Sequence, residues 1–76
     1  MQKVKVMKMT LDQLKPGQQA VIQRVPHPRL WMLGLSPGTR VEVISIGPGG
    51  TPYHLYFYGC SLLMDRETAT QIEVKL

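Results

Sequence analysis

Arg29-Leu30-Trp31-Met32-Leu33-Gly34-Leu35-Ser36-Pro37-Gly38 is the stretch from which the fold of this sequence can be read. Pro28 stands just before it and suits the first position of a helix, where its missing N–H costs nothing. Gly34 falls where a helix must turn left-handed to stop. Leu30 is then the third position from the helix end, and Leu35 lies just past the glycine. A Schellman stop brings those two positions together. The spacing therefore predicts a short helix over 28–33, with Leu30 and Leu33 inward and Trp31 and Met32 on other faces. Ser36-Pro37-Gly38-Thr39 then reads as a type II turn, with Pro fixing φ at its second position and Gly accepting a positive φ at its third.

The same turn chemistry occurs upstream, in Lys15-Pro16-Gly17-Gln18. Leu14 precedes that turn, and Ala20 and Ile22 follow it. Leu35 precedes the other, and Val41 and Val43 follow it at matching offsets. Two units do not make a repeat protein; the echo is that of two barrel corners with the same turn requirement. Strands are predicted at Gln19–Val25, stopped by Pro26 and Pro28, and at Arg40–Ile46. Gly47 to Pro52 is a flexible loop. Tyr53–Tyr58 follows, with Tyr53, Leu55 and Phe57 on one face and His54, Tyr56 and Tyr58 on the other. Gly59 makes a bend, and Leu62 and Met64 alternate on the returning strand. Asp65 to Thr68 is a short turn before a last strand, Gln71–Leu76. Thr10 caps one helical turn at Leu11–Leu14. The expected fold is mainly β: a small, partly open barrel of about five strands, with one short helix between the first two. Residues 1–9, with Val4 and Val6 alternating with lysines, form an N-terminal arm or a short edge strand, and 10–76 form the domain.

The 76 residues suffice for one domain. A chain of this size buries only about 60% of its unfolded surface, so its core must be compact. The net charge of +4 and the 18% of charged residues describe a mildly basic surface. No element gathers the basic residues, as a nucleic-acid binder would require. The single cysteine, Cys60, excludes an intramolecular disulfide and fits a reducing compartment. No apolar run reaches the roughly 18 residues of a membrane span. These features together predict a cytoplasmic location, with any membrane association made through a partner.

The residues that carry the turn and helix signals also carry a family likeness. Leu11, Leu14-Lys15-Pro16-Gly17, Ala20 and Ile22 belong to it, as do Arg29-Leu30 and Leu33-Gly34-Leu35-Ser36-Pro37-Gly38. It continues through Val41, Val43, Pro48, Gly50, Pro52, Gly59, Leu62, Met64, Ala69, Ile72 and Val74. Over residues 10 to 75 the chain resembles the ferrous iron transport protein A family, FeoA. The resemblance implies an SH3-like barrel and a cytosolic accessory role in bacterial ferrous iron uptake. It implies as partner the FeoB-type membrane transporter, which carries a GTPase region. The sequence departs from the family pattern at Leu63, where a small residue is common, and at Asp65, where a basic one is.

Catalysis has little to draw on. His54 and Cys60 flank a bend, but a Cys–His pair needs hydrogen-bond reach and an orienting third group. The ordinary reading is a surface histidine and a small, partly buried thiol. His27, His54 and Cys60 lack the spacing of a three- or four-ligand metal site. No catalytic residue, metal ligand or cofactor is therefore assigned, and the link to iron is placed in the partner. The candidate partner-binding residues are Arg29, Trp31 and Met32 on the helix, with Tyr56 and Tyr58 on the aromatic strand, because Trp, Tyr and Arg concentrate at interface centres. Two alternatives stand beside this reading. A single-stranded nucleic acid could stack on Tyr53, Tyr56, Phe57 and Tyr58, with Arg24, Arg40 and Lys75 supplying charge; the scattered basic residues disfavour it. A second copy of the chain could dock on the helix patch, giving a homo-oligomer.

Overall fold

Each Pro-Gly turn closes as its residues require, and each is then tied to the strand that leaves the other turn. The Gln18 N–H donates to the Lys15 carbonyl at 2.9 Å, and the Thr39 N–H to the Ser36 carbonyl at 3.0 Å. The Gly17 N–H donates to the Val43 carbonyl at 2.6 Å, and the Val43 N–H to the Gln18 carbonyl at 3.0 Å. In the mirror of that arrangement, the Gly38 N–H donates to the Ile22 carbonyl and the Ile22 N–H to the Thr39 carbonyl, both at 2.8 Å. The echo seen in the sequence is thus a reciprocal pair of corners.

The computed structural model describes residues 8–76; of residues 1–9, read as an arm or a short edge strand, 1–7 lie outside the described residues. Six antiparallel strands form one open sheet in the order β1-β6-β2-β3-β4-β5. They are β1 (Met9–Thr10), β2 (Gln19–Arg24), β3 (Arg40–Ile46), β4 (Tyr53–Phe57), β5 (Cys60–Met64) and β6 (Glu73–Lys75). Ala20 faces Val41 across β2 and β3. Tyr58 and Gly59, both at positive φ (51° and 77°), make a two-residue turn from β4 to β5, the type I′ geometry that matches strand twist. Register shifts occur on β2 between Ile22 and Arg24 and on β3 between Val43 and Ser45. Such bulges bend a sheet, and here the inward faces converge on one core.

That core pairs the two corner units: Leu14 with Leu35, Ala20 with Val41 and Ile22 with Val43 are all buried, together with Leu11, Leu55, Phe57, Ile72 and Val74. Tyr53 is buried too, and its hydroxyl donates to the Asp12 carbonyl at 2.7 Å, which satisfies its one polar atom. The alternation expected for 53–58 holds through Phe57, but Tyr58 leaves the strand, because its positive φ opens the turn to β5.

The structure also differs from the sequence reading elsewhere. Among the described residues there are six strands where about five were expected, because Met9 and Thr10 pair with Val74 and Glu73. The Leu11 N–H continues that seam by donating to the Ile72 carbonyl at 2.9 Å. A second helix, α2 (Arg66–Ala69), stands where a turn was expected. Asp65 caps it by accepting the Thr68 hydroxyl at 2.6 Å, and Ala69 anchors it in the core. The 47–52 loop holds a short 3-10 turn at Pro48–Gly50 and is closed by the Gly47 N–H on the Pro52 carbonyl at 2.9 Å. The first helix, α1 (Pro28–Met32), ends one residue early, with Leu33 as its cap. Leu33 is 54% exposed rather than inward, because a five-residue helix fills its inward side with Leu30 and the following Leu35. Cys60 is exposed rather than partly buried, since β5 is an edge strand with no neighbour on its far side.

Leu35→Ala should cost about 2–5 kcal/mol of unfolding free energy, as a large-to-small change in a closed core does. Met32→Ala should stay within about 0.5 kcal/mol, as surface changes do. Urea denaturation of the two variants checks both values.

Candidate functional site

The helix α1 is held at its C-terminal end by the stop that the sequence predicts. The Leu35 N–H donates to the Leu30 carbonyl and the Gly34 N–H to the Trp31 carbonyl, each at 3.0 Å. These are the two bonds of a Schellman motif. Gly34 has φ +101°, and a Cβ there would lie 3.4 Å from the Phe57 ring. The buried Thr39 hydroxyl donates to the Gly34 carbonyl at 3.2 Å. Leu30 is partly buried and packs against the core. A helix anchored this firmly holds its remaining side chains outward in a fixed arrangement.

Those side chains are Arg29, Trp31, Met32 and Leu33. Met32 is 87% exposed and Trp31 50%. Trp31 is both a cover and an exposed surface. Its indole N–H donates to the Val25 carbonyl at 2.8 Å, and the ring borders an open cleft of 390 Å³ with Val25, Pro26 and Pro28. With the N–H engaged inside the protein, Trp31 offers an approaching partner only its apolar and π surface. A second, more polar cleft is formed by His27, Pro28, Arg29, Leu30 and Thr68. Arg29 thus supplies the charge at the end of a ridge whose crest is apolar.

Tyr56 and Tyr58 form a separate group. Tyr56 lies on the outward face of β4, opposite Glu42 on one side and Ser61 on the other. Tyr58 is 75% exposed at the hairpin turn. Both border a groove with Gln19, Arg40 and Glu42, and share no cleft with Trp31. The five candidate residues are therefore two sets, three on α1 and two on the β4–β5 hairpin. Sequence reasoning missed Leu33, Ile44 and Leu63, all exposed. Leu33 could have been found as the cap residue before Gly34, and Leu63 from the alternation that turns Leu62 and Met64 inward. Ile44 is turned out at the β3 bulge, for which the sequence carries no signal.

The histidines and the cysteine do not come together. Cys60 pairs with the inward-facing Phe57, whereas His54 pairs with the exposed Leu63 on the opposite face of the hairpin. His27 contacts Gln71 through its Nε2. Among the described residues no three His, Cys, Asp or Glu side chains gather as metal ligands, and no helix there is long and apolar enough to cross a membrane. Of the four aromatics considered for base stacking, Tyr53 and Phe57 are buried. Arg24, considered as a phosphate contact, reaches Glu73 at 3.6 Å.

The surroundings of Asp65 lower its pKa. The Thr68 hydroxyl hydrogen bond holds it below the usual aspartate value, with the Thr68 N–H and the nearby His27 adding to the effect. A lowered folded pKa means that the stabilisation of α2 by Asp65 is present above the unfolded pKa and lost as pH falls through the folded one. A carboxyl NMR titration should give Asp65 a midpoint below that of an unstructured aspartate, and Thr68→Val should raise it.

A short curled sheet with two corner turns and a helix across one end defines an SH3-like β domain. A family model for the FeoA domain matches residues 9–76, and the chain belongs to that family. Among solved structures, the chain is similar to the FeoA protein of Chlorobium tepidum, with 33% identity, a TM-score of 0.84, and 90% of this chain and 70% of that one covered. It is similar to iron(II) transport protein A of Clostridium thermocellum at 29% identity and TM-score 0.82, covering 90% of this chain and 45% of that one. The zinc-complexed FeoA of Stenotrophomonas maltophilia, described as a prokaryotic SH3 domain protein, matches at 26% identity and TM-score 0.77, covering 88% of this chain and 89% of that one. No curated protein matches the sequence.

Proposed function

We propose that this chain is a non-enzymatic, cytoplasmic accessory protein of bacterial ferrous iron uptake. Its role in this reading is to bind the cytosolic part of a FeoB-type membrane transporter, and it meets the membrane only through that partner. Membership of the FeoA family supports the transport assignment. So does the description of the Stenotrophomonas maltophilia relative, proposed there as a ferrous iron transport activating factor. Iron is then the cargo of the transporter, and the present chain acts by contact.

The observation that carries the docking assignment is the ridge of Arg29, Trp31, Met32 and Leu33, exposed on a helix too short and too firmly stopped to turn them inward. Isolated exposed apolar residues are ordinary on protein surfaces, but three in succession beside an arginine form the kind of anchor that dominates interface energetics. The helix is already fixed, so little conformational entropy is lost on docking. Tyr56 and Tyr58 extend the contact where a large partner reaches round to the hairpin.

Calorimetric titration of the purified transporter's cytosolic region with this protein tests the reading. The wild-type chain should bind, and Arg29→Ala combined with Trp31→Ala should weaken binding by about 30-fold, the loss of a 2 kcal/mol hot spot. Met32→Asp, at an almost fully exposed position, gives a second variant whose folding is not in question and should weaken binding by at least about tenfold. No binding by the wild type would overturn the function. Undiminished binding by both folded variants would overturn the docking surface.

A further inference from the structure

The two edges of the sheet are unlike. Among the described residues the β1 edge is two residues long and follows Lys8, which reaches Glu73 at 3.9 Å. The β5 edge is five residues long, Cys60-Ser61-Leu62-Leu63-Met64, with neither charge nor proline. Lysine, proline and shortness are the usual devices that keep an edge from pairing, and β5 has none of them.

The hairpin register shows which groups this edge presents. Phe57 and Cys60 flank the two-residue turn, so they form a hydrogen-bonded pair, and pair types alternate from there. Leu55 with Leu62 and Tyr53 with Met64 are then also hydrogen-bonded pairs, whereas Tyr56 with Ser61 and His54 with Leu63 are not. The N–H and C=O groups of Ser61 and Leu63 therefore point away from β4. Among the described residues no backbone group pairs with them.

We propose that this edge is a self-association site at which β5 of one copy pairs antiparallel with β5 of a second, about a two-fold axis through Leu62. The sequence is self-complementary in that register. Ser61 faces Leu63 of the second copy and Leu63 faces its Ser61, so all four outward N–H groups find carbonyls. A large side chain stands beside a small one on the outer face. On the inner face the two Leu62 side chains, each only partly buried in the single chain, meet as a close non-hydrogen-bonded pair with Cβ atoms about 4.5–5.5 Å apart. A peptide of arbitrary sequence would satisfy the edge hydrogen bonds but not the Leu62 pairing or the large-beside-small match of Leu63 and Ser61. A single strand seam is smaller than the roughly 1,200 Å² of a stable interface, so the dimer is weak and concentration-dependent. This site is independent of the α1 ridge.

Sedimentation velocity on the full chain across a wide concentration range tests the proposal. The mean mass of the wild type should rise toward twice that of one chain. Leu63→Pro removes an outward N–H that the β4 ladder does not use, and should hold the protein as a monomer. Leu63→Lys, at a position 64% exposed, should weaken association at least tenfold and serves if the proline variant fails to fold. Cys60→Ala combined with Leu62→Cys should form a disulfide dimer under mild oxidation. A wild type that stays monomeric throughout would overturn the proposal. So would folded Leu63 variants that associate like the wild type, association abolished by Met32→Asp instead, or a wild type that associates while the Leu62→Cys variant does not cross-link.

Discussion

The fold depends on the mutual hydrogen bonding of its two Pro-Gly turns. Each turn supplies a glycine N–H and a carbonyl to the strand leaving the other turn, at Val43 and at Ile22. Once both sets of bonds are made, β2 and β3 must run antiparallel with Ala20 facing Val41, and the inward residues of both units meet in one core. The chain from Val25 to Leu35 must then cross one end of the sheet in very few residues. A five-residue helix ended by Gly34 is a solution that places Val25, Leu30 and Leu35 inward. The outward position of Trp31, Met32 and Leu33 follows from that geometry: a crossing so short has one inward side, already filled.

The parts of this arrangement that local chemistry dictates were legible in the sequence. Proline followed by glycine named both turns. Gly34 with Leu30 and Leu35 named the helix stop, and alternation named the buried face of β4. The parts set by tertiary pairing were not. Met9 ends the segment read as an arm or a short edge strand, and Thr10 was read only as a cap; what pairs them is β6, which comes from the other end of the chain. The helical turn α2 has too few residues to show a period. The bulge that turns Ile44 outward answers to the curvature of the whole sheet, and the exposure of Cys60 follows from β5 having no outer neighbour. Leu33 failed because helical spacing was extended one residue past the point where the helix ends.

The candidate site was legible to the same degree. Arg29, Trp31 and Met32 were identified from helix geometry, and they do lie together on α1. Tyr56 and Tyr58 were identified from strand alternation and are exposed, but in a different groove. Residue type and period can say that a side chain points outward; they cannot say which outward-pointing side chains share a surface. The hydrogen bond from the Trp31 indole to Val25 was likewise invisible. It makes this tryptophan a fixed apolar surface rather than a free donor, and a partner must therefore meet it with apolar or cationic groups.

The central claim is that a short helix, stopped at Gly34 and anchored by Leu30 and Leu35, presents residues 29–33 as the surface a transporter partner recognises. The most direct measurement is amide NMR of the isotope-labelled chain titrated with the unlabelled cytosolic region of a FeoB-type transporter. The account predicts that shifts and loss of intensity centre on Arg29, Trp31, Met32 and Leu33, with the Trp31 indole N–H signal affected but still hydrogen-bonded. Perturbations confined to the outer face of β2 and β6, with residues 29–33 unmoved, would contradict it.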